Sequence, residues 1–310
     1  MVNNKHFKLL LDSATYKRLV HRLDNIHLRK KKVSIYRILE NLVRNIFKDD
    51  IPHQASSVAF SFTLAVFPAI IFLFTLLPYF PIPNLENEIK DLLKDFALLE
   101  QVNHTVVDVL NQPRGDLLSF SVILSLILST NGMLQLAATF NKIYRTIDRR
   151  SYWYSRLLAM LLTFILAFSL FTAVALFTAG NSIIKYMVEN GFIQENFIIF
   201  LLMAMKFVIL FLLFLFVIAC IYYFAPALHN KWKFISIGCV IATLLTILVS
   251  YFFSYYISNF GAYNKIYGSI GAMIALMFWI YLVSIILLIG YEINASIYQA
   301  AAQGMKESGE

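Results

Sequence analysis

The residues of this sequence that could do chemistry are polar side chains set inside long apolar runs. A polar or ionisable group in such a run is costly to place in a bilayer, and it usually faces the interior of a helix bundle or a water-filled cavity. We therefore predict a ligand-binding site or translocation path lined by these groups. They are Ser61, Asn131, Gln135, Lys206, Glu292 and Asn294.

Several of these residues have more than one interpretation. Lys206 either holds an anionic head group or phosphate, or extends its flexible stem to the outer interface. Glu292 is either a hydrogen-bond acceptor for neighbouring helix ends or a proton relay or gate. The amides of Asn131, Gln135 and Asn294 are either ligands or groups that join helices by hydrogen bonds.

No catalytic or metal-binding arrangement is visible in the sequence. None of the histidines has a histidine partner four residues away or a zinc-type spacing, and no glycine loop for phosphate or G-x-S-x-G motif occurs. Cys220 and Cys239 fall inside apolar runs, where packing is their expected role. The sequence therefore predicts a protein that is not an enzyme and holds no metal or cofactor. The histidines are His6, His21, His27, His53, His104 and His229.

The elements that must position the polar groups are membrane-spanning helices. Hydrophobic residues make up 59% of the chain and charged residues 14%, whereas soluble domains carry about 25% charged residues. An apolar run of about 20 residues crosses a bilayer as a helix. Six such runs predict an all-α, polytopic membrane protein. The predicted spans are about 58–80, 117–140, 157–179, 197–224, 234–257 and 267–297.

The segments outside the spans divide the chain into three regions. Residues 1–50 are predicted to form a cytoplasmic basic arm and an interfacial helix, 51–297 the bundle, and 298–310 a cytoplasmic tail. Residues 84–112 have an apolar stripe opposite an acidic face, which predicts an extracytoplasmic amphipathic helical segment. The basic arm is either a solvated tail or a segment that binds anionic lipid head groups. No motif in it supports nucleic-acid binding.

Residues 34–48 have the spacing of an interfacial helix. Their apolar side chains follow the i, i+3, i+4, i+7 series of one helical face, and we predict that this face lies in the acyl boundary of the membrane. These side chains are Ile35, Ile38, Leu39, Leu42, Val43, Ile46 and Phe47. The polar side chains, including Asn41 and Asn45, are predicted to cover the opposite face.

Three further residues are predicted to shape the helices. Pro68 lies near the middle of the first span and should kink it, because its ring removes a helical hydrogen bond. A kink there would open space between helices. Gly268 and Gly271 in the last span should allow close helix contact.

The distribution of Lys and Arg predicts the orientation. The first 50 residues hold 12 and the segment 141–156 holds five, whereas 81–116 holds three and 180–196 holds one. Positive residues favour the cytoplasmic side, so both termini are predicted to be cytoplasmic. The first 50 residues lack the pattern of a cleavable signal peptide, so the first span is predicted to act as the insertion signal.

Several segments resemble the YihY/BrkB family of bacterial inner-membrane proteins, once labelled ribonuclease BN. They are Ala55-Ser56-Ser57-Val58-Ala59-Phe60 with Phe67-Pro68, Thr130-Asn131-Gly132, Phe140-Asn141-Lys142-Ile143-Tyr144, Tyr222-Tyr223-Phe224-Ala225-Pro226, Asn259-Phe260-Gly261, Tyr267-Gly268-Ser269-Ile270-Gly271 and Gly290-Tyr291-Glu292-Ile293-Asn294-Ala295. The chain has Ala227 where the family usually has a polar residue. The resemblance implies a six-span helical protein of the bacterial plasma membrane, and some members are linked to moving lipids or lipid-linked glycans. The ribonuclease label is not supported by these residues.

The residues and the resemblance together favour a transporter or flippase for an amphiphilic anion, such as a lipid or a lipid-linked envelope precursor. The alternative is a non-transporting scaffold that recruits partners in envelope biogenesis. The sequence has no nucleotide-binding motif, so transport would be passive or coupled to an ion gradient. Membrane lipids are the predicted partners, and the sequence indicates no particular oligomeric state.

Overall fold

The computed structural model describes residues 27–28, 33–76, 124–190, 196–228, 232–259 and 262–307. These residues are mostly helical, as the sequence predicted. The helices are α1 (Ile35–Lys48), α2 (Ile51–Leu76), α3 (Asn131–Ile143), α4 (Tyr152–Glu189), α5 (Asn196–Phe224), α6 (Ile237–Asn259) and α7 (Ala262–Glu307). A two-residue antiparallel pairing joins β1 (His27–Leu28) to β2 (Val33–Ser34) directly before α1. Most of the basic arm and the segment 84–112 lie outside the described residues, so their predicted roles stay predictions.

Four helices in the described part of the chain are long and apolar enough to cross a membrane. Their candidate spans are Tyr152–Ala173, Phe200–Phe224, Ile237–Tyr256 and Met273–Ala302, which match the third to sixth predicted spans. The all-α membrane class is thus confirmed. The first and second predicted spans extend beyond the described residues, so the count of six stays a prediction.

The described part of the second predicted span contains one turn residue between two helical segments. Residues 124–129 are helical, Thr130 forms a turn, and α3 begins at Asn131. The hydroxyl of Thr130 donates to the carbonyl of Ile127 at 2.7 Å, and the guanidinium of Arg156 donates to the same carbonyl. Two side-chain donors therefore bond a carbonyl that would otherwise accept only a backbone N–H of the helix, and such bonding locally weakens the helix.

Two other helices depart from the sequence-based expectation in different ways. α4 begins at Tyr152, five residues before the predicted start of the third span, so Arg156 belongs to a helix and not to a loop. α2 continues on both sides of Pro68, and the predicted kink at this residue stays a prediction.

The helices form a closed ring. Each of α2 to α7 contacts the next helix in chain order, and α7 contacts α2 to complete the circle. α1 lies outside the ring and contacts α7, where Ile38 packs with Ile297 and Ala300. α7 is therefore the helix to which the first and the last parts of the described chain both attach.

An aromatic cluster fills the ring near the end at which α3 and α5 terminate. Phe140 stacks on Tyr291 with ring centroids 4.1 Å apart, and the edge of Tyr222 meets Phe140 at 5.6 Å. The Tyr222 hydroxyl donates to the carbonyl of Leu287 at 2.7 Å. We call this end the basic end of the bundle, because Lys142, Arg145, Arg149 and Arg150 follow it along the chain.

Helices α6 and α7 are in close contact at a pair of glycines. A Cβ atom added to Gly290 would lie 2.7 Å from the Cβ of Ala242 and 2.8 Å from the carbonyl oxygen of Gly238. A Cβ on Gly238 would in turn collide with the carbonyl oxygen of Gly290. The sequence pointed instead to Gly268 and Gly271; of these, Gly271 is buried in α7, and the surroundings of Gly268 lie outside the description.

Helix α1 uses its faces differently from the prediction. Asn41 and Asn45, assigned to the polar face, are buried. Leu39, Val43 and Phe47 form an exposed apolar stripe, and Phe47 is 82% exposed. The side of the helix that carries the two amides therefore packs against the protein. The apolar stripe that remains exposed is narrower than predicted.

We expect this exposed stripe to enter the membrane interface. A nitroxide on Phe47→Cys should be more accessible to oxygen than to a water-soluble nickel chelate in reconstituted protein. Lys48→Cys is the matched control, because the next residue lies about 100° further round the helix and should show the opposite preference. The two native cysteines are buried, which favours selective labelling. Equal access of the chelate to both positions would contradict the prediction.

Candidate ligand cavity and buried polar network

A cavity of about 690 Å³ lies among α2, α3, α4 and the end of α5. Its walls are apolar along the helices, and polar or charged side chains occupy both ends. The lining residues are Ser61, Asn131, Met133, Leu134, Gln135, Ala137, Ala138, Asn141, Lys142, Thr146, Asp148, Arg150, Ser155, Leu158, Ala159, Leu162 and Ala225. The cavity thus includes three of the six predicted site residues.

The cavity extends from the basic end into the spanning part of α4. Its lining reaches Leu162, ten residues after the helix begins at Tyr152. At 1.5 Å per residue this is a depth of roughly 15 Å, or about half of a hydrocarbon core of about 30 Å. The cavity therefore joins the basic end to the middle of the bundle.

A network of hydrogen bonds fixes the basic end of the cavity. Arg150 forms an ion pair with Asp148 at 3.0 Å and donates to the carbonyls of Phe224 and Ala225. Asn141 donates to Asp148 at 3.0 Å. Burial would raise the pKa of Asp148, but the bonds from Arg150 and Asn141 together hold that pKa below its ordinary value of 3.8. An ionised Asp148 thus keeps Arg150 in place, while Lys142 is exposed at the mouth.

Polar side chains also meet at the inner end of the cavity. Gln135 donates from Nε2 to the hydroxyl of Ser57 at 3.0 Å, which joins α3 to α2. Asn131 accepts a 2.9 Å hydrogen bond from Nη1 of Arg156. Ser61 lines the same space. The structure therefore brings together Ser61, Asn131 and Gln135.

Arg156 is the residue at this site that the sequence analysis missed. Its side chain is buried, with only 8% of the residue exposed, and it joins Asn131 of α3 to the carbonyl of Ile127. It was counted among the charges of the loop 141–156, because the apolar run begins one residue later. Ser151, a residue type that often precedes a helix, was the available signal that α4 starts earlier.

Glu292 belongs to a separate network between α1 and α7. The residue is 1% exposed, and its Oε1 accepts hydrogen bonds from Asn45 Nδ2 at 2.6 Å and from Ser296 at 3.2 Å. Asn45 also donates to Gln299 at 3.1 Å. Within the described residues, Oε2 of Glu292 is buried and has no hydrogen-bond partner. This carboxyl group fastens α1 to α7 and does not line the cavity.

Asn294 and Lys206 also lie apart from the cavity. Asn294 accepts from the backbone N–H of Gly238 at 2.9 Å and donates to Ser236 at 2.8 Å, so it joins α7 to the start of α6. The stem of Lys206 packs beside Gly180 of α4, and its Nζ lies 5.4 Å from the ring centroid of Phe207. A role for either residue in translocation stays a prediction.

The described residues contain no group of three or more His, Cys, Asp or Glu side chains that could hold a metal ion. Cys220 and Cys239 are buried free thiols. The chemistry that the described site offers is hydrogen bonding and electrostatic attraction at the ends of an apolar cavity.

The chain is similar in sequence to several known proteins. The sequence model of the family described as Virulence factor BrkB matches residues 42–310. A protein of Bacillus subtilis named as ribonuclease-like protein YfkH is 31% identical over 253 residues, which cover 79% of this chain and 90% of that protein. A UPF0761 membrane protein of Xanthomonas campestris is 28% identical over 272 residues, which cover 83% of this chain and 59% of that protein. No solved structure matches the chain.

Proposed function

Since this chain belongs to the YihY/BrkB family of membrane proteins, we propose that its cavity is the loading site of a transporter or flippase for an amphiphilic anion. A lipid or a lipid-linked envelope precursor is the substrate class that fits. The observation that carries the proposal is the cavity of about 690 Å³ between α3 and α4, with apolar walls and polar ends. Its volume is within the range of about 300–1,000 Å³ typical of small-molecule sites.

The distribution of side chains in the cavity matches an amphiphile. Met133, Leu134, Leu158 and Leu162 offer an apolar wall to a hydrocarbon segment. The exposed cation Lys142 stands at the mouth, where it would attract an anionic head group. A purely apolar molecule would leave the polar groups of the cavity without partners, and a purely polar molecule would leave its apolar wall without contacts.

The proposed setting is the bacterial plasma membrane with both termini in the cytoplasm, following the excess of Lys and Arg near the basic end. In that orientation the cavity faces the cytoplasmic leaflet, where anionic lipids and lipid-linked precursors would enter. Movement would be passive or coupled to an ion gradient. The basic N-terminal arm would bind anionic head groups of the same leaflet.

Filling the cavity should slow transport. Ala138 is exposed in the cavity wall, so Ala138→Trp should obstruct it without a clash in the core and lower the flip rate severalfold. The assay is bleaching by dithionite of fluorescent phosphatidylglycerol or polyprenyl phosphate in proteoliposomes, with and without a proton gradient. Leu161→Trp is the control, because Leu161 is 53% exposed on α4 and does not line the cavity.

Two results would count against the proposal. If wild-type protein leaves the inner-leaflet label protected for both lipids under both conditions, the transport function is wrong. If Ala138→Trp and Leu161→Trp flip lipid at the same rate as wild type, the cavity is not the route.

A scaffold without transport is the second candidate function. The packing of the Lys206 stem against Gly180 favours it, because at this position the stem itself occupies the α4–α5 contact. A stoichiometric cross-linked partner from the cell envelope, together with inactive proteoliposomes, would support this function.

A further inference from the structure

We propose that Asn131 and Arg156 form an anion-binding subsite at the inner end of the cavity. Asn131 donates its amide N–H groups to an anionic oxygen of the ligand, and Arg156 acts as a positioning residue that orients the amide and supplies positive charge. The ligand class is an amphiphile with an anionic oxygen group, such as a phosphate ester. This inference rests on the proposed function, since it assigns the head group of the same substrate.

The orientation of the Asn131 amide follows from hydrogen-bond chemistry. An arginine side chain has five N–H donors and no acceptor. The contact at 2.9 Å between Arg156 Nη1 and Asn131 therefore requires the amide oxygen on the arginine side. The amide NH₂ then points away from Arg156. Asn131 is exposed and lines the cavity, so these two N–H donors are available to a ligand there.

The charge of Arg156 gives this donor pair its preference for anions. Both hydrogen-bond acceptors of Arg156, the amide oxygen of Asn131 and the carbonyl of Ile127, are neutral. In the described part of the chain Arg156 makes no ion pair. A buried cation without a counter-charge is unfavourable in a low-dielectric interior. An anion bound by the amide of Asn131 would offset that cost. The guanidinium polarises this amide, so that its N–H groups become stronger donors to an anion.

The subsite differs from the basic end of the same cavity. At the basic end, Arg150 is already neutralised by Asp148 and occupied by two backbone carbonyls. Lys142 is exposed to solvent, where its attraction is screened by salt. Arg156 is buried and keeps its charge unneutralised among the described residues. The strongest site for an anion is therefore at the inner end, with Lys142 serving entry.

The Asn131→Asp variant tests the loss of anion binding without an expected loss of stability. The change is close to isosteric, and the new carboxylate would pair with Arg156, so we expect a thermal midpoint equal to or above that of wild type. The same carboxylate removes the N–H donors and neutralises the guanidinium. Binding of an anionic lipid should weaken by about tenfold or more, as expected for a lost hydrogen bond to a charged group. Binding of a zwitterionic lipid should change little.

The measurement is equilibrium binding of pyrene-labelled phosphatidylglycerol and phosphatidylcholine to purified protein in neutral detergent micelles. Ser155→Ala is the matched control, because Ser155 lines the same cavity and precedes Arg156 in the chain, but is not part of the proposed subsite. As a second pair, Arg156→Lys should retain most of the preference for phosphatidylglycerol and Arg156→Gln should lose it, since only the first keeps the charge.

A further arm adds inorganic phosphate against chloride of equal ionic strength. Displacement of phosphatidylglycerol by phosphate alone would show that the subsite takes the free anion as well. Retention of the lipid would assign the site to the head group within an amphiphile. Both results agree with an anion subsite and distinguish its two sources.

The proposal is overturned if wild type does not prefer phosphatidylglycerol, or if Asn131→Asp folds and keeps the preference. It is also overturned if Arg156→Gln binds the anionic lipid as tightly as Arg156→Lys. The binding assay does not require transport. If the protein binds anionic lipid through Asn131 but moves no lipid, the transport function is wrong and the subsite stands. If the protein moves lipid but Asn131→Asp binds anionic lipid as tightly as wild type, the subsite is wrong and the transport function stands.

Discussion

Asn45→Asp is expected to lower the free energy of unfolding by about 3 kcal/mol, the scale of an uncompensated buried charge. The Nδ2 atom of Asn45 lies 2.6 Å from Oε1 of Glu292, and both residues are buried. An aspartate there would replace the donor by a carboxylate oxygen facing another carboxylate. Two such groups cannot both be ionised at that distance without a large cost. Unfolding of purified protein by titration with sodium dodecyl sulfate measures the loss.

Exchanging the amide of Asn45 and the carboxylate of Glu292 between the two helices gives a control for this prediction. In the double variant Asn45→Asp with Glu292→Gln, the amide moves from α1 to α7 and donates across the same gap. We expect this exchange to restore most of the stability, because a carboxylate and an amide again face each other. Glu292→Gln alone should be tolerated, since a neutral amide costs less to bury than a carboxylate with one unpartnered oxygen. Additive losses in the double variant would show that this hydrogen bond does not fasten α1 to α7.

Gly290→Ala is expected to lower the free energy of unfolding by about 1–3 kcal/mol through overpacking. The added methyl group would lie 2.7 Å from the Cβ of Ala242 and 2.8 Å from the carbonyl oxygen of Gly238, and it would also collide with the Tyr222 hydroxyl. None of these is the end of a long, flexible side chain, so relief requires movement of α6 against α7. The loss should appear although alanine favours a helix over glycine by about 1 kcal/mol.

Thermal unfolding of the purified protein tests this crossing. Ala302→Val is the control, because Ala302 is an exposed residue of the same helix and should tolerate a larger side chain. Gly290→Val should be more harmful than Gly290→Ala, since its two methyl groups extend further into α6. A thermal midpoint of Gly290→Ala at or above that of wild type would mean that the two helices do not meet as described.

The sequence predicted the helices better than the contacts between them. Apolar length alone locates the third to sixth spans, because the bilayer sets that length. It does not reveal that Glu292 is bonded to Asn45, since the two residues are 247 positions apart. Asn41 and Asn45 were assigned to a solvated face because amides are usually exposed, yet both are buried, and Asn45 bonds to α7.

The cavity was predictable in part. Asn131, Gln135 and Ser61 were singled out as polar residues in apolar runs, and all three line it. Arg156 was missed because a charge at the border of an apolar run is indistinguishable from a loop charge by composition. Its buried guanidinium bonds Asn131 and the carbonyl of Ile127, and hydrophobic periodicity does not encode such hydrogen bonds. The sequence also did not reveal that Lys206 and Asn294 lie apart from the cavity.

The closure of the ring by α7 affects how the protein is made. The ribosome delivers α1 and α2 to the membrane long before it synthesises α7, the helix that contacts them both. During that interval Asn45 has no Glu292 to bond, and α2 lacks one of its neighbours. Biosynthesis therefore passes through a stage in which the early helices depend on lipid, the insertion machinery or chaperones. The contacts that join α1 and α2 to α7 form only after α7 has been synthesised.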